Sequence, residues 1–454
     1  MGQDPVGRAA CPALRWSPRA VLFLRGSPAL RDEPALIALS MLLRARLILP
    51  IRAPPVENGA ALISGNRVAA IGQWDDFSQK RTSGETVDLG EVILMPGLVN
   101  AHCHLDYTGM AGLGSPPIKF TDWIPRILAA KAQWTFSDYA RSWLEGAKML
   151  LRSGVATVAD IETVPELLPE VWDSTPLRVF SFLEMTGVRS KRKPRDILRD
   201  ATEKINSLHH SRCAAGLSPH APYSTSPALL RLCARAARTK RLRVATHVAE
   251  SEQEFEMFTH GRGDMFDWLK RNGRDNSDCG LGSPVQHLER AGLLGKNCLA
   301  IHANYLEEGD TDLLARRKVT VVHCPRSHDY FRHAPFPLQK LLHAKINVCL
   351  GTDSLATVAG SGSKELELNM FREMQMFARS NPGLSPATIL SMATMNGARA
   401  LGLAGHVGEI TENASADLIA IPFSGKIAEA EEAVINYIGH VRASMIDGQW
   451  AIAP

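Results

Sequence analysis

Apolar strand-like runs alternating with helical stretches over about 300 residues predict an α/β fold, a (β/α)8 TIM-type barrel. Short β runs with turn punctuation before and after that region add a small β-sandwich domain built from both chain ends. A third observation is positional. The polar residues that close the predicted barrel strands are repeatedly imidazoles and carboxylates. The expected organisation is an extension over 1–40, a β domain from 41–95 plus 404–454, and a barrel over 96–403.

Taken in order, residues 1–40 are rich in Pro and Arg without a hydrophobic period and read as a floppy extension, with Met41 as the expected natural start. Leu42 to Ile51, Ala60 to Ser64, Arg67 to Ile71 and Val92 to Leu94 read as strands, with Gly65-Asn66 as a turn signal. The barrel strands are expected in the run ending at His102-Cys103-His104, then at Val155 to Ala159, Arg178 to Leu183 and Ala214 to Ser218. Leu242 to Thr246, Cys298 to Ile301, Val319 to Val322 and Ile346 to Leu350 complete the eight. Helices are expected over Asp138 to Arg152, Pro227 to Lys240 and Lys364 to Arg379, the last packing its Met and Phe side chains into the core. The flexible Gly360-Ser361-Gly362-Ser363 run is expected to form a mobile loop beside Asp353. Beyond Leu403, Gly408 to Ile410, Ala416 to Ile421, Val441 to Ile446 and Gln449 to Ile452 are short strands, the last two joined by an Asp447-Gly448 turn.

Composition excludes several classes. The chain has 454 residues, 45% hydrophobic and 22% charged, with a net charge of only +4 and no basic face, so nucleic acid is not an expected partner. No apolar run reaches the roughly 18 residues that a membrane span requires. None of the eight cysteines forms a C-x-x-C pair and several lie inside apolar strands, which points to free thiols in a reducing compartment, the cytoplasm. The expected partner is a small-molecule substrate, with a homodimer left open.

The chemistry lies at the strand ends, where a barrel of this type places its active site. His102 and His104 point the same way from one strand. His220 follows strand 4, Thr246-His247-Val248-Ala249-Glu250 closes strand 5, His302 strand 6, His323 strand 7 and Asp353 strand 8. Each alone suits a structural role: a hydrogen-bonded histidine, or an N-cap for Asp353. Six such endings together favour a metal site. His102, His104 and His247 offer neutral nitrogens and Asp353 an oxygen, a set suited to Zn2+, with Fe2+ as the alternative. Strand 4 ends without a lysine that could bridge a second ion, so one divalent metal per chain is expected, activating a water at neutral pH.

PGLVNAHCHLD, SPHAPYS, THVAESEQE, AIHANYL, VVHCPRS, LGTDSLA and MATMNGARALGL, in this order, resemble the amidohydrolase superfamily. The resemblance is to its mononuclear deaminase and chlorohydrolase branch, which holds adenosylhomocysteine/methylthioadenosine deaminases, cytosine deaminase and triazine chlorohydrolases. It covers roughly Met41 to the C-terminus. It implies His102, His104, His247 and Asp353 as ligands, with Asp353 also taking a proton from the water. Glu250 would pass that proton to a ring nitrogen, His302 would orient the attacking oxygen, and His220 would touch the substrate. The implied reaction is hydrolytic deamination of an amino-substituted, purine-like N-heteroaromatic with release of ammonia.

Two departures stand out. The strand-7 motif reads Ser327-His328-Asp329-Tyr330-Phe331 where the family often has Asn after Ser, and Phe331 to Pro337 suggests a pocket of its own. The stretch Phe120 to Trp134 lacks the Glu with which nucleoside deaminases of this branch hold ribose, and Lys131 sits near that spot. The S-H-x-Y-F variant is similar to bacterial aminodeoxyfutalosine deaminases. Hydrolysis of another C–N bond or of a C–Cl bond is the alternative in the same fold, and a non-catalytic scaffold a remote one.

Overall fold

The structure, a computed structural model, describes residues 40–78, 84–188, 190–359 and 366–454. The expectations for residues 1–39 and for the Gly360 to Ser363 loop lie outside the described residues.

Sixteen strands are described. β1 (Ser40–Ile48), β2 (Val56–Ser64), β3 (Arg67–Gln73), β4 (Glu85–Asp88) and β5 (Val92–Pro96) precede the barrel. The barrel strands are β6 (Leu98–Cys103), β7 (Val155–Glu162), β8 (Arg178–Met185), β9 (Ala214–Pro219), β10 (Val244–Val248), β11 (Cys298–His302), β12 (Thr320–His323) and β13 (Asn347–Leu350). β14 (Leu418–Pro422), β15 (Ala443–Ile446) and β16 (Gln449–Ile452) follow.

β6 to β13 pair in sequence order, each parallel to the next, as βα repeats dictate. Their side chains are buried on both faces; all eight residues of β7 and all five of β10 are buried. β7 and β8 run three and two residues past their expected ends. Asp160, Glu162 and Glu184 interrupt the apolar text there while the backbone ladder continues. The barrel closes between β13 and β6 at the strand ends. Thr352 N and Asp353 N donate to His102 O at 3.0 and 3.1 Å, and His104 N donates to Asp353 O at 3.4 Å.

Strands from both chain ends join in a second sheet, ordered β16-β15-β14-β5-β1-β2-β3 with β4 beside β1. Its core includes Leu43, Ile63, Val92, Leu418 and Met445. The Asp447-Gly448 hairpin forms as expected, with φ of +53° and +76°. Gly408 to Ile410 is not a strand: Gly408 has φ +78°, left-handed backbone that a β ladder does not take. Arg178 at the start of β8 pairs with buried Asp417 at 3.0 Å and ties the barrel to this sheet.

Among the helices, α1 (Phe120–Lys131) and α4 (Asp264–Arg271) matter most to the site. α2 (Phe136–Arg152) starts on a Thr135/Asp138 capping box, and α3 (Pro227–Thr239) on Ser226 with Pro227 in its first turn. α5 (Met370–Ser380) starts later than the expected Lys364, because Asn369 caps it through the Arg372 amide. Met370, Phe371, Met374 and Phe377 of α5 are buried as expected. No described helix is long and apolar enough to cross a membrane.

Candidate metal centre and active site

The folded chain brings the expected strand-end residues together at one end of the barrel. His102 Nε2 lies 3.3 Å and His104 Nε2 3.7 Å from Asp353 Oδ1. The Nε2 atoms of His104 and His247 face each other at 3.3 Å. Candidate ligand atoms fall within 4.8 Å of one another in three sets: His102/His247/His302, His102/His104/Asp353 and Glu250/His302/Asp353. All six residues are buried.

Backbone geometry aims these groups. His247 Nδ1 lies 3.0 Å from the His220 carbonyl, an acceptor, so Nδ1 carries the hydrogen and Nε2 presents its lone pair. Ala249, His302, Ala303 and Asp353 all have φ between +50° and +73°, a costly conformation for residues with a Cβ that recurs at functional sites. Ser327 Oγ and Thr357 Oγ1 donate to Asp353 Oδ2 at 2.6 and 3.2 Å, leaving Oδ1 turned toward the imidazoles.

The electrostatics follow from burial. It depresses His104 and His302 well below the usual imidazole value, and takes His220 and His247 down to about 3, so these rings are neutral. Burial pushes Asp353 up, but the His102 ring, 3.3 Å away, outweighs it and holds the carboxyl well below its ordinary range. Glu250 goes the other way. Burial, then the charges of Asp353 and Glu254, raise it well above the normal value, which favours the proton-carrying form. Its Oε1 stands 3.6 Å from His302 Nε2.

The donor set fits a divalent metal. His102 Nε2 and His302 Nε2 are buried without a hydrogen-bond partner, and the Nε2 atoms of His104 and His247 converge at 3.3 Å, a spacing that two nitrogen donors to one ion also take.

The centre forms the floor of a cavity of about 380 Å3. Phe120, Trp123, Ile124, Ile127 and Leu128 of α1 form one wall, and Trp268 and Leu269 of α4 face them. Phe331, from the distinctive strand-7 run, packs on Phe120 and Trp123 at ring-centre distances of 5.1 and 5.8 Å and so supports that wall. His220 lines the cavity, its Nδ1 2.6 Å from Ser224 Oγ. His323 is not in the cluster; it stacks on Phe336 at 3.9 Å.

Sequence reasoning missed Ser327, Thr357 and Glu184. Glu184 lies at a strand end and lines the cavity, and a longer β8 would have revealed it. The two hydroxyls carry no sequence signal of their own.

The amidohydrolase family model matches residues 93–451. The chain is 31% identical over 400 residues to the 5-methylthioadenosine/S-adenosylhomocysteine deaminase of Syntrophobacter fumaroxidans, covering 81% of this chain and 80% of that protein. Two solved structures share the fold. Helicobacter pylori aminofutalosine deaminase, in complex with methylthio-coformycin, superposes with a TM-score of 0.81 at 19% identity, over 90% of this chain and 99% of that one. Atrazine chlorohydrolase from Arthrobacter aurescens, complexed with zinc, gives 0.77 at 19% identity, over 90% and 94%.

Proposed function

This chain belongs to the amidohydrolase family, and from that premise we propose that it is a metal-dependent hydrolytic deaminase of an amino-substituted, purine-like N-heteroaromatic. The observation that carries the reading is a buried Glu250, its carboxyl pushed well above the ordinary range, beside a cluster of imidazoles at the floor of a largely apolar cavity. In our assignment His102, His104, His247 and Asp353 hold one divalent ion, zinc by preference and Fe2+ as the alternative. When bound, the ion supplies Lewis acidity that makes a water nucleophilic near neutral pH.

The chain's own groups do the rest. The apolar walls take the ring and exclude bulk water. His220, directly after β9, contacts the ring. Glu250 gives its proton to a ring nitrogen, so that the ring accepts the electrons as the attacked carbon becomes tetrahedral. Asp353, its carboxyl held well below the ordinary range and its Oδ2 fixed by two hydroxyls, takes the water's proton and returns it to the departing amine. His302, 3.6 Å from Glu250, orients the attacking oxygen. Ammonia leaves.

Hydrolysis of a C–Cl bond is the second reading, since the fold also resembles that of a chlorohydrolase. A protonated Glu250 matches a ring nitrogen that must be charged before an amine departs, which favours deamination. The buried free thiols support a reducing compartment such as the cytoplasm.

Metal analysis of the purified protein, with ammonia release assayed over aminated purines, pyrimidines and aminofutalosine, tests the proposal. About one ion per chain and ammonia from a purine-type amine are expected. Two ions per chain would overturn the mononuclear assignment, and chloride release without ammonia would favour the second reading.

A further inference from the structure

Glu250 lies two residues beyond the end of β10, outside the barrel ladder that pairs the peptide groups of the strand. Ala249 before it has φ +51°, so the chain leaves the ladder abruptly there. Side chains take over the pairing. The Glu250 amide donates to Glu254 Oε2 at 3.0 Å, and its carbonyl accepts from Asn304 Nδ2 at 2.9 Å. Asn304 is buried two residues past β11, and its own backbone amide donates to Ala249 O at 2.9 Å.

Because the Asn304 side-chain nitrogen faces a carbonyl, Oδ1 is the end left to accept. His328 Nδ1 stands 3.1 Å from that oxygen and therefore carries a hydrogen. His328 is the residue at which the strand-7 motif departs from the family's frequent Asn. Asn Nδ2 and His Nδ1 are both two bonds from Cβ, so either residue can present a donor at that point. The His328 ring packs edge-on against those of His323 and His333, with centres 5.1 and 5.4 Å away. His323 in turn stacks on Phe336, and the Ala334 amide donates to Tyr305 Oη at 3.2 Å. The distinctive run Phe331 to Pro337 thus grips both the His328 ring and the residue after Asn304.

We propose that His328 and Asn304 are positioning residues for the acid: His328 orients the Asn304 amide, the amide fixes the Glu250 peptide, and the peptide aims the carboxyl at the bound ring. This rests on the deaminase reading, in which Glu250 gives a proton to a ring nitrogen. Such a transfer works only within hydrogen-bond reach, and a misplacement of about 1 Å can cost on the order of 100-fold. Neither Asn304 nor His328 lines the substrate cavity, so the effect belongs in kcat rather than in KM.

The test measures ammonia release from adenosine by the zinc-loaded, full-length enzyme. Asn304→Leu and His328→Leu are expected to lower kcat about tenfold or more, with KM within about threefold and metal content unchanged. His328→Asn, which keeps a donor in place, should stay within about threefold of the wild type. Added to Glu250→Gln, Asn304→Leu should lower kcat by less than about twofold further, because a positioning residue loses its effect once the group it serves is gone. Full additivity in that double variant, loss of the metal, an effect confined to KM, or His328→Asn as impaired as His328→Leu overturns the proposal. Crystal structures of the wild type and His328→Leu supply a readout that needs no turnover. The Glu250 carboxyl should shift by about 1 Å or more, and a carboxyl that stays in place overturns the proposal. If adenosine releases no ammonia, that result counts against the deaminase reading, and the position of the carboxyl alone decides the positioning role. Should Asn304→Leu fail to fold, the two His328 variants and the crystal structures decide.

Discussion

The floor and the walls of the cavity are built on opposite terms. Floor residues sit at strand ends, aimed by backbone hydrogen bonds such as His247 Nδ1 to His220 O, and several are held in left-handed backbone. The walls are faces of α1 and α4, shaped by side-chain packing and partly open to solvent; Leu128 is 46% exposed. The floor stores cost in buried, unpartnered nitrogens and a carboxyl raised well above its ordinary range, whereas the wall is built of apolar packing. A rigid sheet can hold atoms where chemistry needs them, while a packed helix face can change without disturbing that geometry.

That contrast can be broken experimentally. The largest effect is expected from His247→Ala, which removes a proposed metal ligand from the floor: metal content should fall from about one ion per chain to near zero, with activity lost. A variant that keeps both would end the assignment. Glu250→Gln should retain the metal yet lose turnover on the order of 100-fold or more, because only the acid/base function is gone. Steady-state kinetics beside metal analysis separates the two.

Glu254 sharpens the comparison through stability. It is buried, accepts from the Glu250 amide at 3.0 Å, and is raised by burial from an ordinary 4.5 to about 8. A carboxyl whose pKa is raised on folding stabilises the fold fully below 4.5 and progressively less as pH climbs to 8. Glu254→Gln, an isostere of the protonated acid, removes that dependence. Its Tm relative to wild type should rise from pH 5 to pH 8 and level off above; a gap independent of pH would refute the assignment.

The smallest effect belongs to the wall. Leu128→Ser should raise KM a few-fold, leave kcat within about twofold, and shift Tm by less than about 2 °C, as an exposed position implies. A kcat loss as large as that of Glu250→Gln would erase the distinction between floor and wall.

Much of the fold was legible because periodicity and turn chemistry are local. Continuous apolar runs marked the parallel strands, and Asp447-Gly448 marked its hairpin. Where polar residues enter a buried strand the local signal failed, so β7 and β8 read short at Asp160 and Glu184. Gly408 misled the opposite way, its apolar neighbour suggesting a strand that a φ of +78° forbids.

For the site, the chain by itself determined the candidates: imidazoles and carboxylates recurring where apolar runs end, in an order that resembles one family. Only the tertiary structure decided their electrical state and partners. The His102 ring of β6 holds the Asp353 carboxyl well below its ordinary range, and burial pushes Glu250 well above it. Ser327 reaches Asp353 from the end of the neighbouring strand, with Thr357 joining from the turn after Asp353, and Glu184 lines the cavity. Such properties depend on desolvation and on distances between residues far apart in the chain, which no local pattern of residue types records.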